Sequence, residues 1–254
     1  MTAIRTFFFV IFPYMAITCF IVGHVWRYKY DKFGWTTRSS QWYENRLLRW
    51  ASPMFHFGLL FVLLGHAVGL LVPQGWTDAF GVSESVYHWN ALIVGGIAAI
   101  VMFIGFVGLI WRRRTTPAVF QVTTKMDKAM YVVLGIVIVL GLVNTFYFQT
   151  IGTPGGGGYN YRESVAEWFR SIFYFNPKPE LIEEAPWSFQ LHAIAAFALI
   201  ALWPFTRLVH VLSAPVWYLF RPYVVYRSRV PQAQVGNRAP RRGWEKSGLS
   251  TPVK

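Results

Sequence analysis

The sequence predicts an all-α fold: a polytopic membrane bundle of five transmembrane helices, N-terminus outside and C-terminus in the cytoplasm. Three observations predict it. Five apolar stretches, roughly 6–26, 52–72, 90–111, 130–149 and 188–212, each reach the length of about 20 residues that a hydrocarbon core requires. The chain is 54% hydrophobic and only 14% charged, a balance suited to lipid rather than to a soluble domain. Lys and Arg alternate between the connections: six within 27–49, none within 73–89, five within 112–129, three within 150–187 and nine within 207–254. The positive-inside rule converts that alternation into the stated topology. It also accounts for most of the net charge of +13 without a nucleic-acid ligand. A lone cysteine, Cys19, excludes an intrachain disulfide framework.

The elements follow in order. Helix one carries Pro13, which a bilayer helix tolerates where neighbours satisfy the freed carbonyl. Its basic flank follows the apolar run, so it is read as a retained helix rather than a signal peptide. Helix two lies in "PMFHFGLLFVLLGHAVGLLVP", with His56 and His66 inside it. Helix three ends at Arg112, Arg113 and Arg114, and helix four carries no charge. The outer loop after it begins with a glycine run. It continues with an amphipathic segment at 162–173, either a helix on the membrane surface or a plain connection. Helix five, in "FQLHAIAAFALIALWPFTRLVHV", carries His192, His210 and Pro204. Residues 1–226 form the expected membrane domain. Residues 227–254 form a basic tail, disordered or ordered by a cytoplasmic partner.

An imidazole inside a bilayer needs a partner that offsets its burial. Helix two runs outward and helix five inward, so His56 and His210 fall near the cytoplasmic face and His66 and His192 near the outer one. Two facing imidazoles are the ligand set of a six-coordinate haem iron, whose apolar ring fills space between helices. Eighteen residues of unbroken helix make five whole turns, which would put His192 and His210 on one face. The corresponding rise is about 27 Å, against about 15 Å between His56 and His66. Tilt, Pro204 or slanted haems must absorb the difference. Hydrogen-bonded core histidines are the other reading. Zinc is disfavoured, since no acid or cysteine lies near these positions. Met54, Met102 and Met130 are read as packing residues. With imidazole on both sides of each iron, the expected work is electron transfer. Gly58, Gly65, Ala67 and Gly69 suit either the close approach of a flat ring or ordinary helix packing.

"FPYMAITCFIVGHVWRY", "FHFGLLFVLLGHAVGLLVP" and "LWPFTRLVHVLSAPVWYLFRPY", with the five-helix plan, resemble the gamma (cytochrome b) subunit of membrane-bound respiratory nitrate reductase, over about residues 5–226. The resemblance implies two haem b groups, the inner held by His56 and His210 and the outer by His66 and His192. It implies a quinol substrate, menaquinol or ubiquinol, oxidised near the outer haem. It implies cytoplasmic partners: an iron–sulfur beta subunit and a molybdenum-containing alpha subunit that reduces nitrate. The location would be a bacterial or archaeal cytoplasmic membrane, with lipid around the bundle. Gly65 and His66 match residues that line the family's quinol pocket. Some relatives carry a quinol-binding lysine at the start of helix three. This chain has "SESVYHW" there, where His88 is the candidate for that task, for an interfacial anchor, or for the base that takes the quinol proton, with Glu84 as a substitute. Two other functions stay open at this stage. One is the membrane subunit of another quinone-linked reductase, of sulfite- or heterodisulfide-reductase type. The other is a haem-free anchor or transporter.

Overall fold

The computed structural model describes residues 3–31, 34, 35, 39–150, 158–213 and 220. The basic tail and most of the glycine run lie outside the described residues. The described residues are helical, without strands, and residues 1–213 make one compact unit. Five helices are long and apolar enough to cross a membrane: Ala3–Tyr30, Leu48–Leu71, Glu84–Thr115, Lys125–Phe148 and Trp187–Phe205. They are helices one to five below.

Each helix departs from its predicted bounds for a local reason. Helix one widens into a π turn at Phe7–Ile11, just before Pro13. Pro13 has no N–H for the Phe9 carbonyl four residues back, and the Trp168 indole donates to that carbonyl at 3.0 Å instead. Helix two starts at Leu48, four residues early. The Glu44 carboxylate accepts from the Leu47 amide at 2.7 Å, and the Asn45 carbonyl accepts from Arg49, which together organise its first turn. Helix three is 32 residues long, with Ser83 as its N-cap and the three arginines in its last turn. Helix four begins in a capping box in which Thr124 and Asp127 satisfy each other's amides.

Helices two and three are in close backbone contact through glycine. A Cβ at Gly58 would stand 2.6 Å from the Met102 nitrogen, and one at Gly108 would stand 2.9 Å from Ala51 Cβ. Gly58 is therefore a packing residue. Helix five packs on helices one and four instead. The amphipathic segment is the helix Val165–Phe173. Its Trp168 and Ile172 are buried with Phe9, Phe189 and Phe197, so it covers helices one and five. Short helices at Gln74–Ala79, Pro117–Gln121 and Pro179–Glu183 complete the connections.

Helix five corrects the sequence expectation. It is not continuous to residue 212. The α-helix ends at Leu202, passes through a 3₁₀ turn at Trp203–Phe205, and gives way to extended backbone at Thr206 (φ −112°, ψ 178°). A second 3₁₀ turn, Arg207–Val209, leads into His210–Ser213. The five-turn argument that placed His192 and His210 on one face therefore fails. Pro204 causes the break, since it can neither donate to Ile200 nor keep the α register. The exposed polar backbone is satisfied locally. Arg27 of helix one donates to the Pro204 carbonyl at 2.7 Å, Trp203 Nε1 donates to the Leu208 carbonyl at 2.9 Å, and the Thr206 hydroxyl donates to the Trp203 carbonyl at 2.9 Å.

Candidate functional site

The four histidines singled out by sequence meet in two pairs. The rings of His56 and His210 have centres 6.0 Å apart with planes at 75°, and those of His66 and His192 have centres 6.1 Å apart with planes at 18°. Both pairs form although the helical path between His192 and His210 is interrupted at Trp203–Val209.

Backbone carbonyls orient the rings. His56 Nδ1 lies 2.8 Å from the Ser52 carbonyl, His66 Nδ1 lies 2.7 Å from the Val62 carbonyl, and His210 Nδ1 lies 2.7 Å from the Arg207 carbonyl. A carbonyl only accepts, so each Nδ1 carries the proton and each Nε2 keeps its lone pair. That is the tautomer a metal-ligating histidine needs, with its second nitrogen fixed from behind. His192 is held differently. Its ring rests on Gly141 of helix four, where a Cβ would come within 3.2 Å of Cε1, and its Nδ1 is buried toward the Val137 backbone without a well-formed hydrogen bond.

The spacing permits a test of fit. An imidazole centre lies about 3 Å from a metal bound at its nitrogen, given a metal–nitrogen length of about 2.0–2.1 Å, so a pair on opposite sides stands about 6 Å apart. Both pairs meet this condition. The two helices that supply them pack mainly on other neighbours, helix two on helix three and helix five on helices one and four. His56 and His66 are exposed along the seam, and His192 and His210 are half-buried. Four imidazoles in two facing pairs, three of them with the tautomer fixed by a carbonyl, fit haem. Among the described residues no three His, Cys, Asp or Glu side chains gather as a zinc site would need.

The family model described as nitrate reductase gamma subunit matches residues 5–229. The chain belongs to the nitrate reductase gamma subunit family. The nitrate reductase gamma chain of Bacillus subtilis is 40% identical over 219 residues, covering 86% of this chain and 96% of that one. The respiratory nitrate reductase 2 gamma chain of Escherichia coli is 34% identical, covering 89% and 98%. The nitrate reductase-like protein NarX of Mycobacterium tuberculosis is 54% identical over 93% of this chain, which spans only 36% of that longer protein. This gamma-type chain is thus a multi-pass membrane protein, and its family is that of an oxidoreductase complex component.

The end of the bundle that holds His66 and His192 carries further detail. A pocket of about 390 Å³ opens beside His66, lined by Ala67, Leu70 and Leu71 of helix two and by Phe169 and Phe173 of the amphipathic helix. Arg170 donates to the Leu70 carbonyl at 2.9 Å and fastens that helix over helix two. Gly65 has open space where a Cβ would stand. Gly69 instead accommodates the hydroxyls of Tyr161 and Tyr87, which lie 3.2 Å apart. His88 is half-buried, with its Cε1 2.9 Å from where a Cβ of Gly158 would lie. Glu84, the substitute base, is paired with Arg162 at 2.9 Å.

Several residues at the site carried no sequence signal: Gly141 under His192, Phe169 and Phe173 at the pocket, and the ion pair of Arg207 with Asp127 beside His210. The residues in contact are far apart in the chain, and an ordinary Gly, Phe or Arg announces nothing about its partner.

Proposed function

We propose that the chain is the quinol-oxidising, two-haem membrane subunit of a nitrate reductase, delivering electrons to an iron–sulfur beta subunit and a molybdenum-containing alpha subunit on the cytoplasmic face. The observation that carries the reading is the pair of cross-seam imidazole couples, each 6 Å wide, with carbonyl-anchored Nδ1 atoms on three of the four rings. His56 and His210 would hold the inner haem, His66 and His192 the outer. When bound, the two haems supply reversible one-electron transfer across the membrane. The residues of the chain do the rest. The carbonyls of Ser52, Val62 and Arg207 keep each Nε2 aimed away from its own backbone. Ala67, Leu70, Leu71, Phe169 and Phe173 offer an apolar wall beside His66 for a quinol ring, and Gly65 leaves the approach open. Oxidising a quinol releases two electrons and two protons. His88, at the outer end of helix three, is the proposed proton acceptor, because Glu84 is already engaged by Arg162. With the N-terminus outside, protons leave outward while electrons go inward, which charges the membrane.

A pyridine haemochrome assay on the purified chain tests the reading. Two haems per chain are expected, and a ratio near zero overturns it. His66→Ala or His192→Ala should remove the outer haem, and His56→Ala or His210→Ala the inner. His88→Ala should slow haem reduction by quinol while leaving haem content unchanged. Equal rates would reassign His88 as an interfacial anchor.

A further inference from the structure

The break in helix five detaches His210 from the helix that carries His192. Something else must fix the orientation of His210, and the structure shows what. The carbonyl that accepts from His210 Nδ1 belongs to Arg207. The Arg207 guanidinium is in turn gripped by both oxygens of Asp127, with Nε to Oδ1 at 3.0 Å and Nη2 to Oδ2 at 2.8 Å. Asp127 is 1% exposed and is itself fixed by the capping box that starts helix four, where Oδ2 also accepts from the Thr124 amide at 3.0 Å. A planar fork on a carboxylate defines an orientation that a single hydrogen bond does not. The chain of contacts therefore runs from the first turn of helix four, through one ion pair, to the backbone that points His210.

We propose that Asp127 is a positioning residue for the inner haem site, acting on His210 through Arg207, so that the inner site depends on the first turn of helix four while His192 of the outer site is carried by the unbroken part of helix five. The proposal rests on the two-haem reading above. The side-chain bonds of Asp127 go to Arg207 and Thr124, so its effect on His210 passes through the Arg207 carbonyl. Asn at this position keeps the shape but offers one acceptor oxygen and turns an N–H₂ toward a guanidinium that can only donate. The His210 turn then loses its fixed support. Outer-shell partners of metal ligands typically govern affinity by about 10–100-fold, and that is the loss expected at the inner site.

The experiment compares the full-length wild type, Asp127→Asn, Asp127→Glu and Arg207→Lys in membranes and after purification. Haem stoichiometry, redox titration and electron paramagnetic resonance are read for each haem separately. A wild type with two haems upholds the underlying reading, whatever the variants do. Asp127→Asn should then lose inner haem or shift its resonance and midpoint potential. The outer signal should stay unchanged and so certify that the bundle has folded. Asp127→Glu should restore part of the inner signal. Should Asp127→Asn fail to fold, Arg207→Lys, which keeps the charges but not the fork, should show the same selective inner defect. An inner haem of wild-type occupancy, resonance and potential in the folded variants overturns the proposal, as does an equal effect on both haems.

Discussion

Trp168 reaches from the amphipathic helix to Phe9 of helix one, its indole N–H donating at 3.0 Å to the carbonyl four residues before Pro13, which has no N–H to offer it. One proline and one tryptophan, distant in sequence, thus form a single structural unit. The amphipathic helix is fastened at the proline of helix one.

That coupling predicts the outcome of a double-mutant cycle. Trp168→Phe strands a buried carbonyl and should cost about 1–3 kcal/mol. Pro13→Ala supplies an N–H to the same carbonyl, so Trp168→Phe should cost clearly less in that background. Unfolding midpoints in detergent for the four combinations measure the coupling. Additive effects would mean that the bond contributes nothing beyond packing.

Two glycines on helix two should behave oppositely. Gly58→Ala drives a methyl into the Met102 backbone and should destabilise by about 1–3 kcal/mol, since backbone cannot give way as a side chain does. Gly65→Ala meets nothing and should leave stability unchanged or raise it by up to about 1 kcal/mol through helix propensity. If Gly65 borders the quinol approach, that same variant should weaken quinol-driven haem reduction. Thermal unfolding and quinol titration read the two effects separately.

The ring planes predict a spectroscopic difference between the two sites. At 75° the inner imidazoles leave the two in-plane directions at a metal nearly equivalent, and at 18° the outer imidazoles distinguish them. If the pairs hold haem, the one on His56 and His210 should therefore show the more anisotropic low-spin resonance, with the larger maximal g value. Spectra of His210→Ala and His192→Ala, each lacking one signal, assign the two. The reverse order would show that the rings turn when haem binds.

Acid should weaken the loop between helices one and two through Glu44. Burial pushes this carboxyl up, but the Leu47 amide and the Arg112 guanidinium, at 2.7 and 2.6 Å, outweigh it and hold the group below the usual carboxylate range. A depressed folded pKa means that the contribution is present above the ordinary value and is lost as pH falls through the depressed one. Glu44→Gln should therefore cost about 1.5–3 kcal/mol at neutral pH, as for hydrogen bonds to charged groups. It should cost little in strong acid, where wild type and variant converge. Unfolding midpoints across a pH series check both the size and the convergence.

The sequence by itself determined the class of this protein: five runs of apolar residues, a charge alternation between them, and four histidines on two antiparallel helices. These are local properties, since hydropathy over about 20 residues decides insertion whatever the neighbours do. The pairing of His56 with His210 and of His66 with His192 follows from topology alone. Tertiary structure decided the rest. Pro204 was visible, but whether it kinked helix five or broke it depended on Arg27, Trp203 and Thr206 being placed to satisfy the freed backbone. The four small residues of helix two read alike in sequence. Only the packing showed that Gly58 serves helix three, Gly69 serves two tyrosines, Ala67 lines a pocket and Gly65 faces open space. Asp127 and Arg207 lie eighty residues apart, and neither predicts the other. Their bond exists because the start of helix four and the broken end of helix five arrive at the same place, where two opposite charges are more stable paired than buried alone.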